Sequence, residues 1–452
     1  MPSVLIYLGI MLAVILVWFV FVKRPAYEAI FVSLLVLLTV TDTWGKLGTY
    51  VNSALSTSLL YSMTAFVGMS IILTKTKIID GSIAIILALV GRISGGAGYA
   101  SVIASAFMGA LSGSGPGNVM ATGAITIPAM KRSGFPPELA ANIECNASCL
   151  GNMIPPSANI VAAFGAYAAL YPEAADASGQ FWIVLWGISL WFILEKLLIV
   201  WGFCKYYKVQ PMAAEEVPKL SEVVRQHWQG LLLPFIVLAP FLLDYLFKDN
   251  FFTARLGATG AKYMSSSMLL FIAGLASLYA CIATKDKKIV SFHNLAKIFS
   301  NSVKSISPTV SVCAIGYTMG GIFSDLNVAA EMEHFIISIG FNKFAMVVFL
   351  CVLTCALGMV IAGSALVVIF GSVFISTLVS VGVDPLLAAA MLPCICGVMC
   401  NITPPFAASM YAAMSLADSD IGKTIKNQLW WVAGQFVLQV IVLMHWLPIL
   451  GM

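Results

Sequence analysis

The sequence predicts an all-α polytopic membrane protein of two related halves, each with a re-entrant helical hairpin and a discontinuous helix. Composition, an internal offset and paired helix breaks predict it. Of 452 residues 60% are hydrophobic and 10% charged, whereas a soluble domain carries about 25% charged residues. An offset of 249 carries Gly109 onto Gly358, Pro136 onto Pro385, Ala140-Ala141 onto Ala389-Ala390 and Cys145 onto Cys394. It also carries Asn152 onto Asn401 and Pro155-Pro156 onto Pro404-Pro405, so "GNMIPPSA" and "CNITPPFA" occupy one place in each half. A single gapless offset over that length indicates common descent of the halves.

Apolar segments near the spanning length of about 20 residues recur along the chain. Clear ones are 3–22, 52–73, 181–203, 229–246, 265–283, 305–323, 335–357 and 428–448. With the less regular stretches between them, about 10 to 12 spans are expected. The first segment starts like a signal peptide but lacks a basic head and a small-residue cleavage site, so it reads as a retained helix. Net charge is +4, with lysine and arginine at segment ends ("FVKRPAY", "KTKIIDG", "MKRSGF", "TKDKKIV"). That pattern sets membrane orientation and needs no nucleic-acid partner. The longest polar interval, 205–228, divides the chain near its middle. The expected organisation is 1–60, N-terminal scaffold helices; 61–204, the first repeat, with its hairpin near 97–130; 205–300, a central linker and scaffold helices; and 301–452, the second repeat, with its hairpin near 347–380.

Within each half the parts come in one order. A glycine-bearing, interrupted segment leads ("FMGALSGSGPGNVMATGAITIPAM"; "CALGMVIAGSALVVIFGSVFIST"), then a proline turn, then an apolar helix ending at Asn-x-x-Pro-Pro. The interrupted segment reads as two short helices meeting at a tip inside the membrane. Paired prolines cannot donate backbone hydrogen bonds, so the helix before them must stop or unwind. Such backbone is tolerated at membrane depth only where protein or a wet cavity surrounds it. Paired broken helices in matching places point to a transporter's ion and substrate site. Glycines at the tip let carbonyls turn inward, and Ser, Thr and Asn add neutral oxygens suited to Na⁺. Helix N-termini there suit a carboxylate. The plainer reading is that small residues let helices pack closely. A phosphate-binding loop is excluded because "GSGPGNVM" lacks the Gly-Lys-Ser/Thr ending.

At "ASAFMGALSGSGPGNVMATGAITIPAMKRSGFPPELAANIECNASCLGNMIPP" and "LGMVIAGSALVVIF…GVDP…NITPPFAASMYAA" the chain resembles the large membrane subunit (permease) of the tripartite ATP-independent periplasmic (TRAP) transporters, the DctM-like family. The resemblance implies inverted repeats and an elevator-type importer of the ion-transporter superfamily, a secondary active transporter and not an enzyme. It implies import of a small organic acid, such as a C4-dicarboxylate, sialic acid or another carboxylate, with sodium as coupling ion and no organic cofactor. It implies as partners a small TRAP membrane subunit and a periplasmic substrate-binding protein, in the bacterial inner (plasma) membrane. Carried over residue by residue, the first sodium site draws on Ser112, Gly113, Ser114 and Asn118, closed by Asn152, Ile154 and Pro155. The second draws on Gly358, Gly363 and Ser364 with Asn401, Thr403 and Pro404. Substrate is expected near Ser114, Gly115, Asn118, Ser157, Asn159 and Thr403. "GMVIAGSA" departs from the family's second hairpin, where an acidic residue or proline often follows Gly-Met, which puts the ligands there in doubt.

Three groups outside the tips carry polar chemistry. Glu144, in an apolar helix, is costly there and stays open between a proton site and a structural hydrogen-bonding role. Glu195-Lys196 pair or snorkel. The ten cysteines are scattered without zinc spacing and read as packing residues, and His227, His293, His334 and His445 share no metal spacing. A membrane enzyme would need a nucleophile with a base or a buried metal set, and a channel one continuous polar path. The nearer rival is a stand-alone sodium- or proton-coupled organic anion symporter of related fold, working without a binding protein.

Overall fold

The apolar segments fold into helices. The computed structural model describes residues 4–22, 26–56, 58–78, 80–112, 115–155, 157–171, 178–213, 215, 217–327, 331, 334, 340–359, 363–404 and 407–452. Every regular element among them is helical. The N-terminal part holds α1 (Val4–Val17), α2 (Ala26–Val40), α3 (Leu47–Ser56), α4 (Ser58–Thr76) and α5 (Asp80–Val90). The first repeat continues with α6 (Gly96–Ser112), α7 (Gly115–Arg132), α8 (Pro137–Cys149), α9 (Ala158–Leu170) and α10 (Ser178–Tyr207). The central interval holds α11 (Leu220–His227), α12 (Leu233–Phe247) and α13 (Thr253–Ala283), and α14 (Phe292–Asp325) runs from it past residue 301. The second repeat holds α15 (Lys343–Gly358), α16 (Gly363–Ser380), α17 (Pro385–Leu392), α18 (Met399–Ile402), α19 (Ala408–Ala417) and α20 (Ile421–Leu443).

Helix ends follow local chemistry. Pro137 and Pro385 stand at first-turn positions of α8 and α17, where a missing N–H costs nothing. Asp384 caps α17 by accepting from the Leu386 and Leu387 amides at 2.9 and 3.1 Å. Lys131, in the last turn of α7, donates to the Ala417 carbonyl at the C-terminus of α19, 2.8 Å away. The second break is prepared earlier than the first: Pro393 sits where the helix widens into a π-turn, Pro393–Val398. No equivalent proline stands in α8, which runs straight to Cys149.

Packing exchanges the two halves. Helix α19, after the second break, packs on α7 and α8 of the first repeat, and α9, after the first break, packs on α16 and α17 of the second. Each pair is the repeat equivalent of the other, so the halves are joined by a reciprocal crossing. The helices before the breaks lie at its centre: every residue of Leu139–Cys149 and of Leu386–Leu392 is buried. A helix apolar or small on all faces belongs there. Helix α4 packs on α13, and α14 on α2 and α3; α4 also lies against α9, and α14 against α16.

Four helices among the described residues are long and apolar enough to cross a membrane alone: Gly179–Tyr207, Leu220–Phe247, Gly363–Ser380 and Pro385–Ile402. The bent pair Tyr27–Val40 and Trp44–Ser56, turned by 119°, adds one more. Other apolar segments of the sequence lie in α4, α13, α14 and α20, helices of 19, 31, 34 and 23 residues.

Candidate ion and substrate site

Hairpin, break and crossing meet at one buried place. In the first hairpin α6 and α7 run antiparallel, because Ser101 and Thr126 reach one oxygen of Glu144 while Ser105 and Thr122 reach the other. The tip candidates Gly113 and Ser114 lie outside the described residues, as do Pro156 and Pro405; Ser112 ends α6. The hairpin is seated on the first break by glycine. A Cβ on Gly109 would stand 2.4 Å from Gly151 Cα, so only a glycine pair permits this approach. The repeat equivalent holds in the second half, where Gly358 lies against the Cys400 backbone with a Cβ clearance of 3.1 Å.

The breaks themselves touch. Helix α8 closes in a 3-10 turn, Leu150–Asn152, and the chain restarts at Ser157, which accepts from the Ile160 amide at 3.3 Å. The second break leaves α18 with extended backbone at Thr403 and re-enters α19 through Ala407 at φ 27°, a strained value for a residue with a side chain. The Gly397 carbonyl accepts from Asn401 Nδ2 at 2.8 Å and Asn152 Nδ2 at 3.3 Å. The two equivalent asparagines of the repeat therefore share one acceptor. Asn152 Oδ1 accepts from Asn159 Nδ2 at 3.1 Å, and the Asn152 carbonyl from the Ser157 hydroxyl at 3.1 Å. Gly115, the first described residue after the first tip, completes the cluster. A Cβ there would stand 2.5 Å from Ser409 Oγ and 3.3 Å from Asn152 Nδ2.

Asn118 is the informative side chain. It is wholly buried, and its Nδ2 donates to the Ser105 and Ser148 carbonyls at 2.8 and 3.2 Å. Those two acceptors fix which end of the amide is nitrogen. Its Oδ1 is then left buried with no hydrogen-bond partner among the described residues. Leaving such an acceptor unmet costs about 1–3 kcal/mol, so it marks a place for a donor or a cation. A neutral amide oxygen beside unwound backbone fits a hard monovalent cation.

The remaining candidates divide. Asn152, Asn159, Ser157 and Asn401 are brought into the central cluster. Thr403 is buried beside it, but its hydroxyl donates back to the Met399 carbonyl at 2.6 Å, leaving only lone pairs for a ligand. Gly363 N–H donates to Cys400 Sγ at 3.0 Å, so this glycine serves the hairpin seat. Ser364 and Pro404 are half-buried, and Pro155 and Ile154 are buried. Sequence reasoning missed Gly397, Ser409 and Cys400. The offset held the signal, since Gly397 is the counterpart of Ser148 and Cys400 of Gly151.

Over residues 4–450 the chain matches the family described as tripartite ATP-independent periplasmic transporter, DctM component. The chain belongs to this family of membrane transporter permeases. Similar curated proteins include the C4-dicarboxylate TRAP transporter large permease protein DctM of Pseudomonas aeruginosa, 25% identical over 78% of this chain and 77% of that protein. The isethionate TRAP transporter permease protein DctMQ of Oleidesulfovibrio alaskensis is 23% identical over 80% of this chain and 53% of its own length. The fold is similar to that of the Neisseria gonorrhoeae MtrF structure, with a TM-score of 0.62, 14% identity, and 91% and 87% of the two chains covered. It is also similar to that of the Alcanivorax borkumensis YdaH transporter, with a TM-score of 0.57, 16% identity and 87% of each chain covered.

Proposed function

We propose that this permease is the large subunit of a TRAP-type system of a bacterial inner membrane, importing a small organic acid with sodium. A small membrane subunit and a periplasmic binding protein complete it, as family membership implies. The observation that carries the reading is the buried Asn118 Oδ1, without a hydrogen-bond partner among the described residues, on the same helix as Gly115, which packs against Asn152 and Asn401. Sodium at this oxygen neutralises the carbonyl ends facing the tip and holds the tip in the shape that receives an acid group. Helix α7 begins there at Gly115, and its free amides favour an anion. Ion and anion then bind with reciprocal coupling of about 1–3 kcal/mol. Reciprocal packing of the halves supports an elevator movement, in which the hairpin-and-break body slides as one piece against the remaining helices.

Two measurements test this. The purified chain in detergent should melt higher in sodium than in potassium at equal ionic strength, by mass action on the folded state. Uptake into liposomes should require sodium and an added binding protein. Robust uptake by the chain alone would instead support a stand-alone symporter, and uptake on a proton gradient without sodium would remove the ion site.

A further inference from the structure

The two half-sites differ in charge. Glu144 is wholly buried on α8, and five hydroxyls close on its carboxylate. Ser101, at 2.7 Å, and Thr126 donate to Oε2; Ser105 at 3.2 Å, Ser148 at 2.9 Å, and Thr122 donate to Oε1. These come from α6, α7 and α8, and no lysine or arginine pairs with it among the described residues. Five O–H donors form the set that solvates an ionised carboxylate in place of water. The offset of 249 replaces Glu144 with Pro393, Ser101 with Leu350, Thr122 with Gly371, Thr126 with Ile375 and Ser148 with Gly397. Only Ser105 keeps a hydroxyl counterpart, Thr354, which donates to its own helix at Leu350, 2.8 Å away. Hairpin two seats on its break without any such cage, so seating a hairpin does not require one.

The cage abuts Asn118. Ser105 and Ser148 hold Glu144 by their side chains and Asn118 Nδ2 by their carbonyls. Thr122, which bonds the carboxylate, stands one turn beyond Asn118, about 6 Å along α7. Resting on the sodium reading above, we propose that Glu144 is a positioning residue for the first cation. Its fixed negative charge, held off the ion by the hydroxyl shell, makes the first half-site bind sodium more tightly than the second. The first site therefore fills first. A unit charge at one to two helical turns in a protein interior changes cation affinity on the order of tenfold.

The test is the melting temperature of the purified full chain against sodium concentration, with potassium holding ionic strength constant. If the parent chain shows no sodium-dependent stabilisation, the ion-site reading itself fails. If it does, Glu144→Gln should raise the half-maximal sodium concentration on the order of tenfold, whatever melting in potassium alone loses as the amide nitrogen, a donor, replaces an acceptor of the hydroxyl shell. An unmoved sodium midpoint, or a lower melting temperature in potassium with that midpoint retained, overturns the proposal. The pair Ser101→Ala with Thr126→Val keeps the charge and thins the shell, and decides the matter even where Glu144→Gln does not fold. A midpoint within about threefold of the parent supports the charge as the cause, and a tenfold weakening assigns the effect to the hydroxyls and overturns it.

Discussion

Substituting Gly109 by alanine tests how the first hairpin is seated. A Cβ there would lie 2.4 Å from Gly151 Cα and 2.6 Å from its nitrogen. Ordinary contact begins at 3.4 Å, so the overlap is 1.0 Å against backbone that cannot rotate away. Overpacking of this kind costs about 1–3 kcal/mol. Alanine inside a helix returns about 1 kcal/mol over glycine, which leaves up to about 2 kcal/mol of destabilisation. The equivalent change, Gly358→Ala, overlaps Cys400 by 0.3 Å, from 3.1 to 3.4 Å, and should cost about 0.5 kcal/mol or less after the same helix gain. Relieving the larger overlap moves α6 away from the break. That motion draws the Ser105 carbonyl from Asn118 Nδ2, now 2.8 Å away, and loosens the amide whose oxygen is proposed to hold sodium. Gly109→Ala should therefore melt lower and lose most of its stabilisation by sodium, and Gly358→Ala should resemble the parent. Melting curves in detergent, with sodium and with potassium, read both effects. A Gly109→Ala protein with the parent's melting temperature and sodium shift, or a Gly358→Ala protein damaged more than it, refutes the seating argument.

Two further outcomes are expected. Asn118→Leu should abolish most sodium dependence of melting and uptake, and Ser364→Ala and Thr403→Ala should weaken it through the second half; sodium curves matching the parent in all three would make these positions packing elements. Cysteine labelling should place the two hairpin bases on opposite membrane faces. Ser133 is buried, with its hydroxyl bonded to the Ala129 carbonyl at 3.0 Å, so Lys131→Cys, exposed at the end of α7 beside Arg132, serves better against Ser380→Cys at the end of α16. The basic pair assigns the first base to the cytoplasm, and reaction of both from one side would contradict the inverted arrangement.

What the sequence made legible was whatever one residue type forces on its own backbone. The paired prolines at 155–156 and 404–405 follow helix ends, whereas single prolines such as Pro128 and Pro240 stay inside helices, and glycine runs interrupt spans, so the breaks and hairpins could be read off and the offset paired them. What stayed hidden depends on which helix faces which. Nothing in "CICGVMC" says that the Gly397 carbonyl will collect an asparagine from each half, because that follows from the crossing of α8 and α9 with α17 and α19. The Glu144 cage lies between these cases. Its donors come as Ser101 and Ser105, Thr122 and Thr126, and Ser148 one turn after Glu144, each pair four residues apart and so on one helix face. Three such pairs around one tip, with the acid in only one, amount to a readable pattern once α6 and α7 are taken as antiparallel. The repeat then sharpens it: the two halves keep their glycines, asparagines and prolines at matching places, while Glu144 of the first stands where the second has Pro393, so the halves share a scaffold and differ in charge.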